Sequence, residues 1–176
     1  IAEIDTYGAF AEAIWSPSDS FDLTGTLRYD DHSSFGGQTT GRLAFAWRPD
    51  GNTVIRGAIG TGYRPPSIDE LFGDYPGTFP FVGNPNLVPE ESLSAELGIE
   101  RSFANGASLS ATAFLLEIEN LVTFQFGAPS TLANVPGTST RRGLELSGQL
   151  PISDSLSLTG AYTYTDTETA TGEPAT

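Results

Sequence analysis

Residues 21–30 read Phe-Asp-Leu-Thr-Gly-Thr-Leu-Arg-Tyr-Asp. In an extended chain successive side chains point to opposite faces, so Phe21, Leu23, Gly25, Leu27 and Tyr29 line one side. Asp22, Thr24, Thr26, Arg28 and Asp30 line the other. A helix would scatter the same residues around its circumference. The stretch predicts a strand with one apolar and one polar face.

The same period returns from Leu156 to Thr165, where Leu156, Leu158, Gly160, Tyr162 and Tyr164 interleave with Ser157, Thr159, Ala161, Thr163 and Thr165. Weaker copies cover Tyr7 to Trp15, Leu43 to Trp47, Val54 to Tyr63, Leu93 to Ile99, Leu109 to Leu116 and Gly143 to Leu150. Pattern counting gives about eight strands, arranged as hairpins in series. Tight turns are signalled at Ser16-Pro17-Ser18-Asp19, Pro49-Asp50-Gly51-Asn52, Ala104-Asn105-Gly106 and Pro151-Ile152-Ser153-Asp154. Longer stretches lie between them, the largest from Arg64 to about Glu91. Short turns at one end and long loops at the other are how outer-membrane barrels are built.

Trp15, Phe21, Trp47 and Phe103 sit close to the short turns, where an interfacial aromatic belt would lie. Tyr29, Tyr162 and Tyr164 approach the opposite ends. The polar face carries Arg28, Arg42, Arg48, Arg56, Glu96, Glu100 and Glu145. Each such charge would cost roughly 2–4 kcal/mol facing lipid at mid-depth, and little inside a wide, wet barrel. The competing reading is a soluble β-sandwich whose polar face meets water, since alternation alone does not say on which side the water lies.

The formal net charge of -14, with arginine supplying every basic residue other than His32, disfavours nucleic-acid partners. The absence of cysteine excludes disulfides, thiol chemistry and thiolate metal sites. No apolar run has the roughly 18–20 residues that a transmembrane helix needs, so a membrane protein with this sequence crosses with strands. Opening at Ile1 inside a strand-like pattern, the sequence reads as an excerpt of a longer precursor.

The segment 56–100 contains Gly62-Tyr63-Arg64-Pro65-Pro66 and Glu70-Leu71-Phe72, then Asn84-Pro85-Asn86-Leu87, Pro89-Glu90 and Glu96-Leu97-Gly98. These phrases resemble the most recognisable barrel stretch of TonB-dependent outer-membrane receptors. Further matches at Trp15 after Ala-Glu-Ala, at Gly25-Thr26-Leu27-Arg28-Tyr29 and at Thr140-Arg141-Arg142-Gly143-Leu144-Glu145 extend the resemblance over nearly the whole chain. Locally, Ser67-Ile68-Asp69-Glu70 has the spacing of a capping box, and Pro65, Pro66, Pro85 and Pro89 stiffen the two ends of the loop.

The resemblance implies an all-β fold, an antiparallel up-and-down transmembrane barrel of about 22 strands. Residues 1–176 would form a part of it with about eight strands. It implies a Gram-negative outer-membrane location, contact with outer-membrane lipid, a plug domain outside this chain and coupling through that plug to the TonB complex. The implied function is active uptake of a small, scarce nutrient. The phrasing looks most like the cobalamin-receptor branch, with siderophore and haem receptors as alternatives; haem is disfavoured because no histidine lies between Arg64 and Asn84. A passive porin or a small adhesin barrel is the alternative of another class.

Ligand-binding candidates in the long loop are Tyr75, Phe79 and Phe81, which offer rigid apolar surface, and Arg64, Asp69 and Asp74, which offer charge. Tyr63, Pro65, Pro66, Glu70, Asn84, Pro85, Asn86, Leu87, Pro89 and Glu90 are expected to shape the loop base. Asp69, Glu70 and Asp74 are oxygen donors that calcium would accept, but their spacing is not that of an EF-hand loop, so no metal or cofactor is expected. His32 follows two aspartates and reads as a solitary exposed histidine. Arg141-Arg142 reads as an interior or strand-end pair. No nucleophile motif, phosphate loop or zinc cluster is present, and no enzyme is expected.

Overall fold

The computed structural model describes residues 3–170; Ile1, where the excerpt reading begins, lies outside them. Eight long strands form one antiparallel sheet: β1 (Thr6–Ser18), β2 (Phe21–His32), β3 (Gly36–Asp50), β4 (Thr53–Arg64), β7 (Glu90–Ser102), β8 (Ser108–Glu119), β11 (Thr138–Ser153) and β12 (Leu156–Glu168). Each pairs with its neighbour in chain order, β1-β2-β3-β4-β7-β8-β11-β12. This is the up-and-down meander that the alternation predicts. The sheet is not closed on itself, since β1 and β12 are its two edges.

Register places the faces as expected. Leu27 stands opposite Ala11 and Gly41, Trp47 opposite Phe21 and Ile55, and Leu97 opposite Gly57 and Ala113. The apolar face is uncovered: Leu27, Leu97 and Leu109 are 61%, 57% and 53% exposed. Among the described residues no second sheet packs against these stripes, as a β-sandwich would require. On the polar face Arg42 of β3 reaches Glu96 of β7 at 2.7 Å, and Arg56 meets Glu100 at 2.6 Å. The first of these pairs spans β4 where it carries only Ala58 and Gly60. Arg48 to Asp22 and Arg28 to Asp30 complete this row of ion pairs. Phe10 and Ile14 break the pattern, because their partners Arg28 and Thr24 lie on the polar face.

Four short turns join the strands at one end, as predicted; Gly106, at φ 80°, makes the tightest backbone demand and lets its N–H reach the Phe103 carbonyl. The other end departs from expectation where β11 begins at Thr138 and not Gly143, and again at its first link. The link between β2 and β3 is only residues 33–35, and Gly36 to Arg42 continue the ladder opposite Thr26 to His32. With polar side chains on both faces this segment loses its alternation but keeps its backbone hydrogen bonds. His32 is corrected with it. The ring is only 4% exposed, packs 5.0 Å from the Phe35 ring, and its Nδ1 accepts the Ser34 N–H.

Among the described residues the fully buried apolar side chains do not lie in the sheet. Pro66, Leu71 and Leu87 all belong to the loop between β4 and β7. A sheet with one face for hydrocarbon and one for a wet interior needs no core of its own, whereas a loop in water must bury apolar surface to hold a shape.

Candidate functional site

The loop begins where Arg64 ends β4. After Pro65 and the buried Pro66, Ser67 caps a short helix α1 (Ile68–Phe72): its Oγ accepts the Glu70 N–H at 3.3 Å, and its own N–H is held by the Glu70 carboxylate at 2.7 Å. The capping box read from the sequence is formed. Arg64 then fastens the loop at both ends, donating to Glu70 at 3.0 and 3.1 Å and to Glu90, the first residue of β7, at 2.6 Å. Burial alone would raise the Glu70 carboxyl, but the Ser67 N–H and the Arg64 guanidinium outweigh it and hold the group below its usual value.

Beyond the helix the chain makes a small hairpin, β5 (Asp74–Tyr75) with β6 (Phe81–Val82). Its return passes so close to the helix end that a Cβ on Gly83 would lie 2.8 Å from backbone atoms of Leu71, Phe72 and Gly73. Only glycine fits there. Asn84 then folds the Asn-Pro-Asn-Leu phrase, its Oδ1 accepting the Asn86 N–H at 2.9 Å, and Leu87 closes the buried cluster.

A second loop completes the site. Between β8 and β11 the chain forms a hairpin of β9 (Val122–Gln125) and β10 (Thr131–Asn134) that docks on the first loop. Asn84 donates to the Leu132 carbonyl at 2.9 Å. Asn134 binds both backbone groups of Val88 at 2.9 Å and donates to the Asn120 carbonyl at 2.6 Å. Ser130 bridges the Val82 N–H and the Pro80 carbonyl, and the free Glu90 oxygen accepts the Val122 N–H at 2.7 Å. The two loops are one body.

Along their junction runs a row of rings. Tyr75 lies 6.1 Å from Phe81, Phe81 stacks at 6.1 Å on Phe124, and Phe124 meets Phe126 edge-on at 5.1 Å. Phe79 and Phe126 are each 92% exposed. Asp69 accepts the Tyr75 hydroxyl at 3.2 Å, and this bond is the main cause that raises the phenol above its usual value.

Of the sequence-predicted candidates, Tyr75, Phe81 and Asp69 come together, while Arg64 joins Glu70 and Glu90 at the base. Asp74 is exposed on the hairpin opposite Val82, and Phe79 stands at the tip between β5 and β6. Tyr63 sits opposite Glu91 in the ladder, one step from the Arg64 and Glu90 pair. Pro85, Asn86 and Pro89 lie in the return segment to β7. Among the described residues no three acids gather as a metal-ligand set. Sequence reading missed Phe124, Phe126 and Asn134; the one local signal was the Phe-Gln-Phe alternation of residues 124–126.

Comparison with known proteins gives this geometry a family. The family described as TonB dependent receptor-like, beta-barrel matches residues 1–176. The chain is 30% identical over 183 aligned residues to an iron-regulated outer membrane virulence protein of Vibrio cholerae, a match that covers 94% of this chain and 28% of that protein. It is 34% identical over 97 residues to the vitamin B12 transporter BtuB of Vibrio vulnificus, covering 55% of this chain and 15% of the transporter. Among solved structures, the siderophore receptor PirA from Pseudomonas aeruginosa superposes with a TM-score of 0.85 at 23% identity, over 96% of this chain and 33% of that one. The chain thus spans under a third of the first of these relatives. With its uncovered apolar stripes, its row of ion pairs on the opposite face and its turns and loops segregated to opposite ends, it belongs to the TonB-dependent receptors as a part of their outer-membrane β-barrel.

Proposed function

We propose that the complete protein is a receptor for TonB-dependent active uptake of a scarce nutrient, with cobalamin as the favoured cargo. The observation that carries this reading is the composite loop body, whose row of exposed rings offers a preformed surface to a small molecule. The likeness to vitamin B12 transporters favours cobalamin. A ferric siderophore is the second reading, favoured by the likeness to an iron-regulated protein. Haem has less support, because neither loop carries a histidine and His32 is buried.

In this reading the barrel wall is a scaffold and not a catalyst. Lipid covers the apolar face, a plug domain outside this chain fills the interior, and the TonB complex acts through that plug.

The test is ligand binding by the full-length receptor in detergent, comparing cobalamin, ferric siderophores and haem, with and without deletion of Asp74 to Phe81. Binding lost on deletion supports the reading, and undiminished binding removes the loop from it. Uptake that survives dissipation of the inner-membrane proton gradient would point to a passive pore instead.

A further inference from the structure

We infer that the ligand surface held by the paired loops is apolar or ring-bearing and carries no net negative charge. This rests on the receptor reading above and narrows it. Residues 65–89 and 120–137 contain no lysine, arginine or histidine, and their only charges are Asp69, Glu70 and Asp74. Arg64, the guanidinium at the base of the first loop, is committed to two carboxylates, Glu70 and Glu90, so that cluster is itself net negative. Tyr75 donates its hydroxyl hydrogen bond to Asp69, which leaves its ring for a ligand.

The backbone donors follow the same logic. The N–H groups of Val82 and Ser130 are spent on carbonyls across the two loops, and those of Gly83 and Asn84 on the Gly73 and Glu70 carbonyls within the first. An anion arriving here meets Asp69 and Asp74, which no basic residue of residues 65–89 or 120–137 offsets, and charge is felt over roughly 8 Å at physiological salt. An uncharged, flat or apolar face meets Tyr75, Phe81, Phe124 and Phe126 in continuous array. Two ligand types share that chemistry: a net-neutral corrinoid and a neutral ferric tris-hydroxamate. A ferric tris-catecholate, a trianion, does not.

The experiment is equilibrium binding to the full-length receptor of three probes, cyanocobalamin, a neutral ferric tris-hydroxamate and the trianionic ferric tris-catecholate. One of the two uncharged probes should bind at least about tenfold more tightly than the trianion, the factor set by like-charge repulsion at low salt. Phe126→Ala, a change at a fully exposed ring, should weaken that probe by about fivefold or more. Asp74→Lys should strengthen the trianion relative to the uncharged probe, and no gain for the trianion would count against the inference. Tightest binding by the trianion to the unaltered receptor would overturn the inference while leaving the receptor reading intact. Undiminished binding in Phe126→Ala would likewise overturn it, and binding of none of the probes would count against both.

Discussion

Arg64, the last residue of β4, stands directly opposite Glu90, the first residue of β7, and donates its Nε–H to that carboxylate at 2.6 Å. The pair closes the base of residues 65–89 as the final rung of the sheet, and the other Glu90 oxygen carries the order into the second loop through the Val122 N–H. Glu90→Gln keeps the shape but removes the charge. Because Arg64 is about half exposed, the ion pair itself is worth only about 1 kcal/mol. Glu90→Ala also orphans the Val122 N–H and should cost about 1–3 kcal/mol of local loop stability. Hydrogen exchange at Val122 in the full-length receptor should accelerate strongly in Glu90→Ala and modestly in Glu90→Gln; equal protection in both would refute the hub.

Acid should loosen the same body. The Glu70 carboxyl is held below its usual value in the folded loop, so its contribution is complete above the unfolded value near 4.5 and is lost as the pH falls through the folded value. The chain has no cysteine, which makes Phe79→Cys and Phe126→Cys clean sites for a spin-label pair. Their distance distribution should broaden between pH 7 and roughly pH 3.5. With Glu70→Gln it should be broad already at neutral pH and respond less to acid. A distribution indifferent to both changes would rule this out.

The strands were legible because alternation reports two solvents, one on each face, and that signal held through the sheet apart from Phe10 and Ile14 of β1. It faded at Gln38 to Arg42, where polar residues and glycine occupy both faces and only the ladder continues. His32 misled for a related reason: its neighbours Asp30 and Asp31 suggest exposure, while its burial comes from Phe35 folding back in a turn too short to be anticipated. At the loop base the capping box and the proline-bounded phrases were readable because they act between near neighbours. The Asn84 bond to Leu132 spans 48 positions and the Asn134 bonds to Val88 span 46, so no local pattern announces them. For the same reason half of the aromatic row was visible and half was not.

Asn134 is the sharpest test of that long-range coupling. A single amide satisfies Val88 N–H, the Val88 carbonyl and the Asn120 carbonyl, and Asn134→Ala removes all three bonds at once. The expected cost is about 1–3 kcal/mol, borne by the loops and not by the barrel. Proteolysis should then cut within residues 120–137 while the thermal transition of the β-sheet stays in place. A fall of the whole transition would mean that the loop body and the wall unfold as one.

The assignment of faces predicts a sharper asymmetry than any loop change. Leu97 and Ser110 lie on adjacent strands, Leu97 on the apolar face opposite Gly57 and Ala113, and Ser110 on the polar face opposite Glu100. Leu97→Arg puts a guanidinium into hydrocarbon and should destabilise the barrel in lipid vesicles by roughly 2–4 kcal/mol. Ser110→Arg sets the same group beside Glu100 in a wet interior and should change stability by less than about 1 kcal/mol. Urea unfolding of the full-length receptor in vesicles measures both. If Leu97→Arg costs no more than Ser110→Arg, which lies three rungs nearer the short turn, the polar stripe does not face water and the apolar stripe does not face lipid.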